Sequence, residues 1–145
     1  MLPGIMDAIA QRLAFHAALL MFVGLLTGGA LGFAMMDQLP ADAGMLLGAH
    51  LNGLIGGLWL CAVAWSLRFV SLPEARAGQM AWLFIGATWA NWLVTLVKSV
   101  PAVHGVGLND DPINNAVFGV LTLTVVLPSL AACGLWAWGL RPHND

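Results

Sequence analysis

The stretch Gly48-Ala49-His50-Leu51-Asn52-Gly53-Leu54-Ile55-Gly56-Gly57 lies near the start of a long apolar segment, from about residue 45 to residue 70. An imidazole and a carboxamide are costly in a segment suited to lipid, so each needs an internal partner or a functional role. On a helix, Gly53 and Gly57 share a face with His50. Because glycine has no Cβ, this face predicts a flat notch where a planar group or another backbone comes close.

The composition places the chain in a membrane. Its 145 residues have a mean hydropathy of +0.86, and only 8% of them are charged, whereas soluble domains carry about 25%. The net charge of −2 and the lack of a basic surface exclude nucleic acid as a partner. Cys61 and Cys133 stand in apolar runs without CxxC spacing, so we predict that both are core thiols.

Four apolar segments reach the length of about 20 residues that a membrane-spanning helix needs, at about 13–36, 45–70, 80–100 and 113–140. No segment alternates as a barrel strand does, so the sequence predicts an all-α integral membrane protein. We expect an antiparallel bundle of four transmembrane helices that forms a single domain over residues 1–145. Pro128 is predicted to kink the last helix.

The few basic residues predict the orientation. Four arginines fall on the side that holds both termini, and Lys98 alone falls on the other, where we expect it to reach for the interface; the arginines are Arg12, Arg68, Arg76 and Arg141. The positive-inside rule then places both termini in the cytoplasm. Four tryptophans are predicted to form an interfacial belt on the same side: Trp65, Trp82, Trp136 and Trp138.

Antiparallel packing of the second and third spans brings their polar residues to one depth. His50 and Asn52 should lie level with Asn91 and Thr95, and these four residues are the predicted catalytic set. Asn114 and Asn115 enter from the same side at the start of the last span, whereas His16 lies towards the other side.

Two interpretations of His50 remain open. It is either a metal or haem ligand through a neutral ring nitrogen, with an acceptor holding the other nitrogen, or a buried histidine bonded to a carbonyl. Asn91 likewise either makes an interhelical hydrogen bond or positions a substrate. A separate stripe is formed by Gly24, Gly28 and Gly32. We expect no polar residue beside this stripe, and it predicts close helix packing, within or between subunits.

Several common kinds of active site are excluded. The sequence has no Walker loop, no Ser-His-Asp or Cys-His set, no HExxH motif and no paired acidic box. No Asp or Glu stands within a span, which argues against a proton-driven transporter. The available chemistry is therefore that of His, Asn, Thr, the backbone and a cofactor.

Three motifs resemble one membrane-enzyme family. The first motif is similar to the first helix of bacterial hydroxylaminobenzene mutases. It consists of Arg12-Leu13-Ala14-Phe15-His16-Ala17-Ala18-Leu19-Leu20, followed by Gly24-Leu25-Leu26-Thr27-Gly28. Ala49-His50-Leu51 with Gly53 resembles their second helix, and Trp89-Ala90-Asn91-Trp92-Leu93 resembles their third. The layout is also similar to that of styrene oxide isomerase.

The resemblance implies a small isomerase of aromatic compounds in the bacterial inner (plasma) membrane. The mutases convert hydroxylaminobenzene to 2-aminophenol. The styrene oxide enzymes convert an epoxide to an aldehyde and are trimers that hold haem b between subunits on the helix-two histidine. By this resemblance His50 is the axial iron ligand, Gly53 and Gly57 flank the haem, Asn91 stands beside the substrate, and the chain forms a homotrimer.

Departures from the epoxide isomerase pattern favour the mutase branch. Gly56, Ala87 and Thr95 stand where that pattern has an asparagine, an aspartate and a tyrosine, and Asn52 is expected to substitute for a lost polar group. The expected activity is hydroxyl transfer within an arylhydroxylamine, with haem iron as Lewis acid. The alternatives are an aryl epoxide isomerase, a small transporter, or a structural or haem-carrying membrane subunit, although His16 and His50 lie too far apart in depth for a bis-histidine haem.

Overall fold

The computed structural model describes residues 4–142, and within them the chain is entirely helical, without a strand. Four helices are long and apolar enough to cross a membrane. They are α1 (Ile5–Met35), α2 (Ala43–Ser66, extended by a 3₁₀ turn at Leu67–Phe69), α3 (Glu74–Lys98) and α4 (Pro112–Gly139). The predicted all-helical class with four apolar spans is confirmed, whereas the single-domain extent over 1–145 stays a prediction because its ends lie outside the described residues.

Acidic residues explain where three of the helices begin. Asp42 caps α2 by accepting a hydrogen bond from the Met45 amide at 2.7 Å, and Asp111 caps α4 by accepting from the Ile113 amide at 2.8 Å. α1 begins at Ile5, earlier than its apolar run, because Asp7 lies in its first turn and its carboxylate accepts from the Gly4 amide at 3.2 Å. Carboxylates at these positions satisfy free amides and favour the positive end of the helix dipole.

α1 and α2 pack through their glycines. A Cβ added to Gly53 would stand 2.6 Å from the Gly24 Cα, and one added to Gly57 would stand 2.9 Å from the Ala17 carbonyl oxygen. Such spacing lets the two backbones approach closely. The contacts pair rising residue numbers on α1 with falling numbers on α2. The adjoining apolar core draws on α1, α2 and α3, with fully buried side chains at Leu13, Leu20, Leu60, Val63 and Met80.

The asparagines at the start of α4 hold the preceding loop. Asn114 is buried, accepts from the Gly105 amide at 2.9 Å and donates to the Gly107 carbonyl at 2.8 Å. Asn115 makes a similar pair of bonds with the backbone of Asn109. Their amides are therefore used in loop structure at the start of α4.

α4 changes its helical form before its proline. Its two α-helical parts, Pro112–Leu121 and Leu127–Gly139, are separated by a π-helical turn at Thr122–Val126. Pro128 cannot donate a backbone hydrogen bond and its ring clashes with the carbonyl four residues earlier. The wider turn relieves this conflict, so the irregularity falls on the residues that precede Pro128.

Three arginines lie over the rings of tryptophans. The guanidinium groups of Arg12, Arg68 and Arg141 lie 5.0, 4.2 and 4.0 Å from ring centroids, over Trp82, Trp65 and Trp138 respectively. These three exposed tryptophans agree with the predicted belt.

Trp136 is more buried than the other three tryptophans of the predicted belt. It is half-buried, donates from its indole to the Ser66 hydroxyl at 2.9 Å and packs edge-on against Phe84. The expectation for Cys61 is wrong. Cys61 is exposed rather than a core thiol, because it points away from the helices that α2 packs against.

Candidate active site

A pocket of about 210 Å³ opens between α2, α3 and α4. Its wall combines aromatic and aliphatic side chains with two carboxamides, a hydroxyl pair and a thiol. The lining residues are Asn52, Ile55, Gly56 and Trp59 from α2, Phe84, Thr88 and Asn91 from α3, and Ser129 and Cys133 from α4. An apolar cavity with a few polar groups is the usual form of a small-molecule site.

Asn52 is held across the α2–α3 contact. Its amide nitrogen donates to the Thr95 hydroxyl at 3.1 Å, and Thr95 is buried. This bond brings the two residues to the same depth, as the sequence predicts. Thr95 therefore orients the Asn52 amide at the edge of the pocket and does not itself line it.

Asn91 lies in the pocket wall with tryptophans before and after it in sequence. Trp89 and Trp92 turn towards α1, where their indoles donate to His16 Nδ1 at 3.2 Å and to the Thr27 hydroxyl at 3.1 Å. Asn91 projects from another side of α3, so the helix separates an anchoring face from a pocket face.

His50 turns towards α1 and away from the pocket. Its Nδ1 lies 2.8 Å from the Gly24 carbonyl oxygen. A carbonyl only accepts, so Nδ1 carries the proton and the neutral ring keeps the Nε2 lone pair for another partner. The structure thus supplies the backbone acceptor that both interpretations of this histidine require.

The notch predicted beside His50 is filled by α1. The backbones of Gly24 and Ala17 occupy the space next to Gly53 and Gly57, so these two glycines offer no open flat surface to a haem within this subunit. Gly28 corrects a second expectation, because a Cβ there would stand 2.9 Å from His50 Nδ1. The glycine stripe of α1 therefore has a polar neighbour, brought to it by α2.

The predicted catalytic set divides into two groups on opposite faces of α2. Asn52 and Asn91 meet in the pocket with Thr95 behind them, whereas His50 faces Gly24 and Gly28 and is not a pocket-lining residue. Residues two apart on a helix are about 200° apart, which separates His50 from Asn52. Within a single chain the four residues therefore do not meet at one point, and their catalytic role stays a prediction.

Several lining residues were not singled out from the sequence. Trp59 and Phe84 resemble any other membrane-helix aromatic, and Cys133 was predicted only as a core thiol. Thr88 donates to the Phe84 carbonyl at 2.9 Å, so its hydroxyl is already used by its own helix. Ser129 follows Pro128, shortly after the π-helical turn. The kink predicted at Pro128 was the one signal in the sequence that pointed to this region.

The side-chain donors of the described residues suit haem better than a bare metal ion. Within residues 4–142, no group of three or more His, Cys, Asp or Glu side chains is placed to hold a bare metal ion. Haem needs only one protein ligand, and His50 has the required form, with Nδ1–H on a carbonyl and Nε2 available. The histidine therefore fits an axial ligand, whereas the flanking glycines do not fit the part expected of them.

Comparisons with known proteins agree with the motifs. The family model described as styrene oxide isomerase matches residues 9–141. The chain is 27% identical over 141 residues to hydroxylaminobenzene mutase HabB of Ectopseudomonas oleovorans, an alignment that covers 92% of this chain and 82% of that protein. No solved structure matches.

Proposed function

The chain belongs to the styrene oxide isomerase family, and from this premise we propose that it is a membrane-embedded mutase that converts an arylhydroxylamine, such as hydroxylaminobenzene, to an aminophenol. The observation that carries the proposal is the pocket in which Asn52 and Asn91 face aromatic walls. The similarity to a hydroxylaminobenzene mutase favours this substrate class. Isomerisation of an aryl epoxide to an aldehyde is the alternative.

The pocket suits a single aromatic ring with one polar substituent. An apolar cavity of about 150 Å³ is enough to bind benzene, and this pocket has about 210 Å³. Trp59 and Phe84 supply ring contacts, and the carboxamides of Asn52 and Asn91 orient the hydroxylamino group. An apolar substrate of this kind partitions into the bilayer and reaches the pocket from the side.

The reaction moves an oxygen without net oxidation or reduction. The N–O bond breaks, a C–O bond forms at a ring carbon, and the proton displaced from that carbon is taken up as the amine forms. Departure of the oxygen from nitrogen leaves a positive charge that spreads over the ring. The low polarity of the pocket limits the access of bulk water to this cation. Asn91 keeps the departing oxygen close to the ring by hydrogen bonding to it.

We include haem b, held by His50, in the proposal. When bound, its ferric iron supplies a Lewis acid for an oxygen or nitrogen lone pair of the substrate. The chain's own contribution is the Gly24 carbonyl, which fixes the His50 ring and leaves Nε2 available.

We propose a homo-oligomer, with a trimer expected from the family. His50 and the pocket lie on opposite faces of α2 in one chain, so a second copy is needed to bring a ligand on His50 to a pocket. We further propose an antiparallel bundle in the bacterial inner membrane with both termini in the cytoplasm. The arginine–tryptophan pairs at one end support this orientation.

The test of the function is an assay of the detergent-purified protein with hydroxylaminobenzene and, separately, styrene oxide. We expect hydroxylaminobenzene to give 2-aminophenol at a rate proportional to the enzyme concentration. An aldehyde from the second, without aminophenol, would assign the alternative. Folded, haem-loaded protein that converts neither compound would contradict the isomerase proposal.

We expect Asn91→Leu to lower kcat by about 10²-fold, because one preorganised hydrogen-bonding group contributes about that much. Leucine has the same branching and the same number of side-chain heavy atoms as asparagine and suits a membrane helix, so the fold should persist. Gln79→Leu is the matched control, because it removes an exposed carboxamide from the same helix outside this pocket. Equal kcat in the two variants would remove Asn91 from the site.

A further inference from the structure

We propose that His16 and Thr27 on α1 are positioning residues that hold Asn91 in the pocket by anchoring Trp89 and Trp92. This inference rests on the proposed function for its catalytic consequence, and it assigns a role to two residues that do not line the pocket.

The Trp92 anchor is a directed chain of hydrogen bonds. An indole nitrogen only donates, and the Trp92 indole donates to the Thr27 hydroxyl at 3.1 Å. That hydroxyl gives its own proton to the Val23 carbonyl at 2.8 Å, so its oxygen is left to accept. Thr27 is only 5% exposed, which shields the pair from competing partners.

The Trp89 anchor requires one form of His16. The Trp89 indole donates to His16 Nδ1 at 3.2 Å, so Nδ1 must keep its lone pair and a neutral ring carries its proton on Nε2. The imidazole also packs edge-on against Trp82 and Trp89. These contacts fix its ring plane and direct Nδ1 at the indole.

The two anchors together set the rotation of α3. Trp89 and Trp92 are three residues apart and so project within about 60° of each other. Asn91 projects well away from both, towards α2 and α4. One anchor would still allow α3 to turn about its axis, whereas two donors on different turns, bonded to one rigid helix, define a single orientation. A displacement of about 1 Å in a reacting group can cost 10²-fold in rate.

The first experiment compares Thr27→Val with Thr27→Ser. Valine keeps the shape of threonine and removes the acceptor, whereas serine keeps it. We expect a fall in kcat of about tenfold for valine, little change in KM, and rescue by serine. Thr124→Val is the control, because that exposed hydroxyl bonds only to the Val120 carbonyl of its own helix. His16→Leu and His16→Asn form the equivalent pair, since the asparagine oxygen takes the place of Nδ1.

The second experiment repeats Thr27→Val in the Asn91→Leu background. If Thr27 acts through Asn91, its replacement should lower kcat no further there, since coupled residues are not additive. A full second tenfold fall would show a general structural role and overturn the proposal.

A third measurement does not depend on turnover. In nitrogen-15 NMR spectra of the protein in micelles, Thr27→Val should shift the Trp92 indole and the Asn91 carboxamide resonances, and Thr27→Ser should shift neither. An Asn91 signal that stays in place while the indole signal moves would overturn the positioning role. This readout holds even for a protein that converts neither substrate, so the two proposals fail separately.

Discussion

Replacing His50 by alanine is expected to remove bound haem and to lower turnover to the uncatalysed rate. The imidazole has the form of an axial ligand, with its Nδ1 proton on the Gly24 carbonyl and Nε2 available. The measurement is the absorption spectrum of purified protein before and after dithionite, where the Soret band should disappear with the histidine. His104→Ala is the control, because His104 is exposed in the α3–α4 loop.

Added imidazole separates loss of a ligand from loss of the fold. A His50→Ala protein that keeps its helices should recover a Soret band in millimolar imidazole, since a free ligand enters the vacated space. A variant with full absorption and full activity would show that His50 is a packing residue. The pocket and the mutase assay would then stand without haem.

Gly53→Leu is expected to separate α1 from α2 and to prevent stable folding. Even the Cβ of Gly53→Ala would stand 2.6 Å from the Gly24 Cα, and neither backbone can move without opening the helix contact. Overpacking of this kind costs about 1–3 kcal/mol for one methyl group, and leucine adds more. The measurement is the thermal unfolding of circular dichroism at 222 nm in detergent.

Gly86 provides the matched control for Gly53. It also lies within a helix, yet a Cβ there meets nothing within 4 Å. Gly86→Ala should leave the unfolding temperature unchanged or raise it, because alanine favours helix. Equal unfolding temperatures for the two alanine variants would contradict the close α1–α2 packing.

The importance of α1 emerges only from the packed chain. Its Gly24 carbonyl holds His50, and its His16 and Thr27 hold the two tryptophans of α3. In sequence α1 is an apolar helix with a glycine stripe. In the structure α1 contributes hydrogen-bond acceptors to α2 and α3. The pocket lies on the faces of these two helices that turn away from α1.

The sequence by itself determined the four apolar helices, the membrane class, the family and the shared depth of Asn52 and Thr95. These follow from segment length, hydropathy, short motifs and chain direction, which are local or nearly local properties. The presence of a histidine and an asparagine among apolar residues was also enough to predict a polar site.

Only the tertiary structure decided which helix each polar face meets. Helical spacing placed Gly53 and Gly57 beside His50, but the same pattern serves a flat ligand or a neighbouring backbone, and α1 fills the space. Depth along the membrane brought His50 level with the asparagines, yet rotation about α2 points it to the opposite side from the pocket. Rotation depends on which helices pack together, and that is set by side chains distant in sequence.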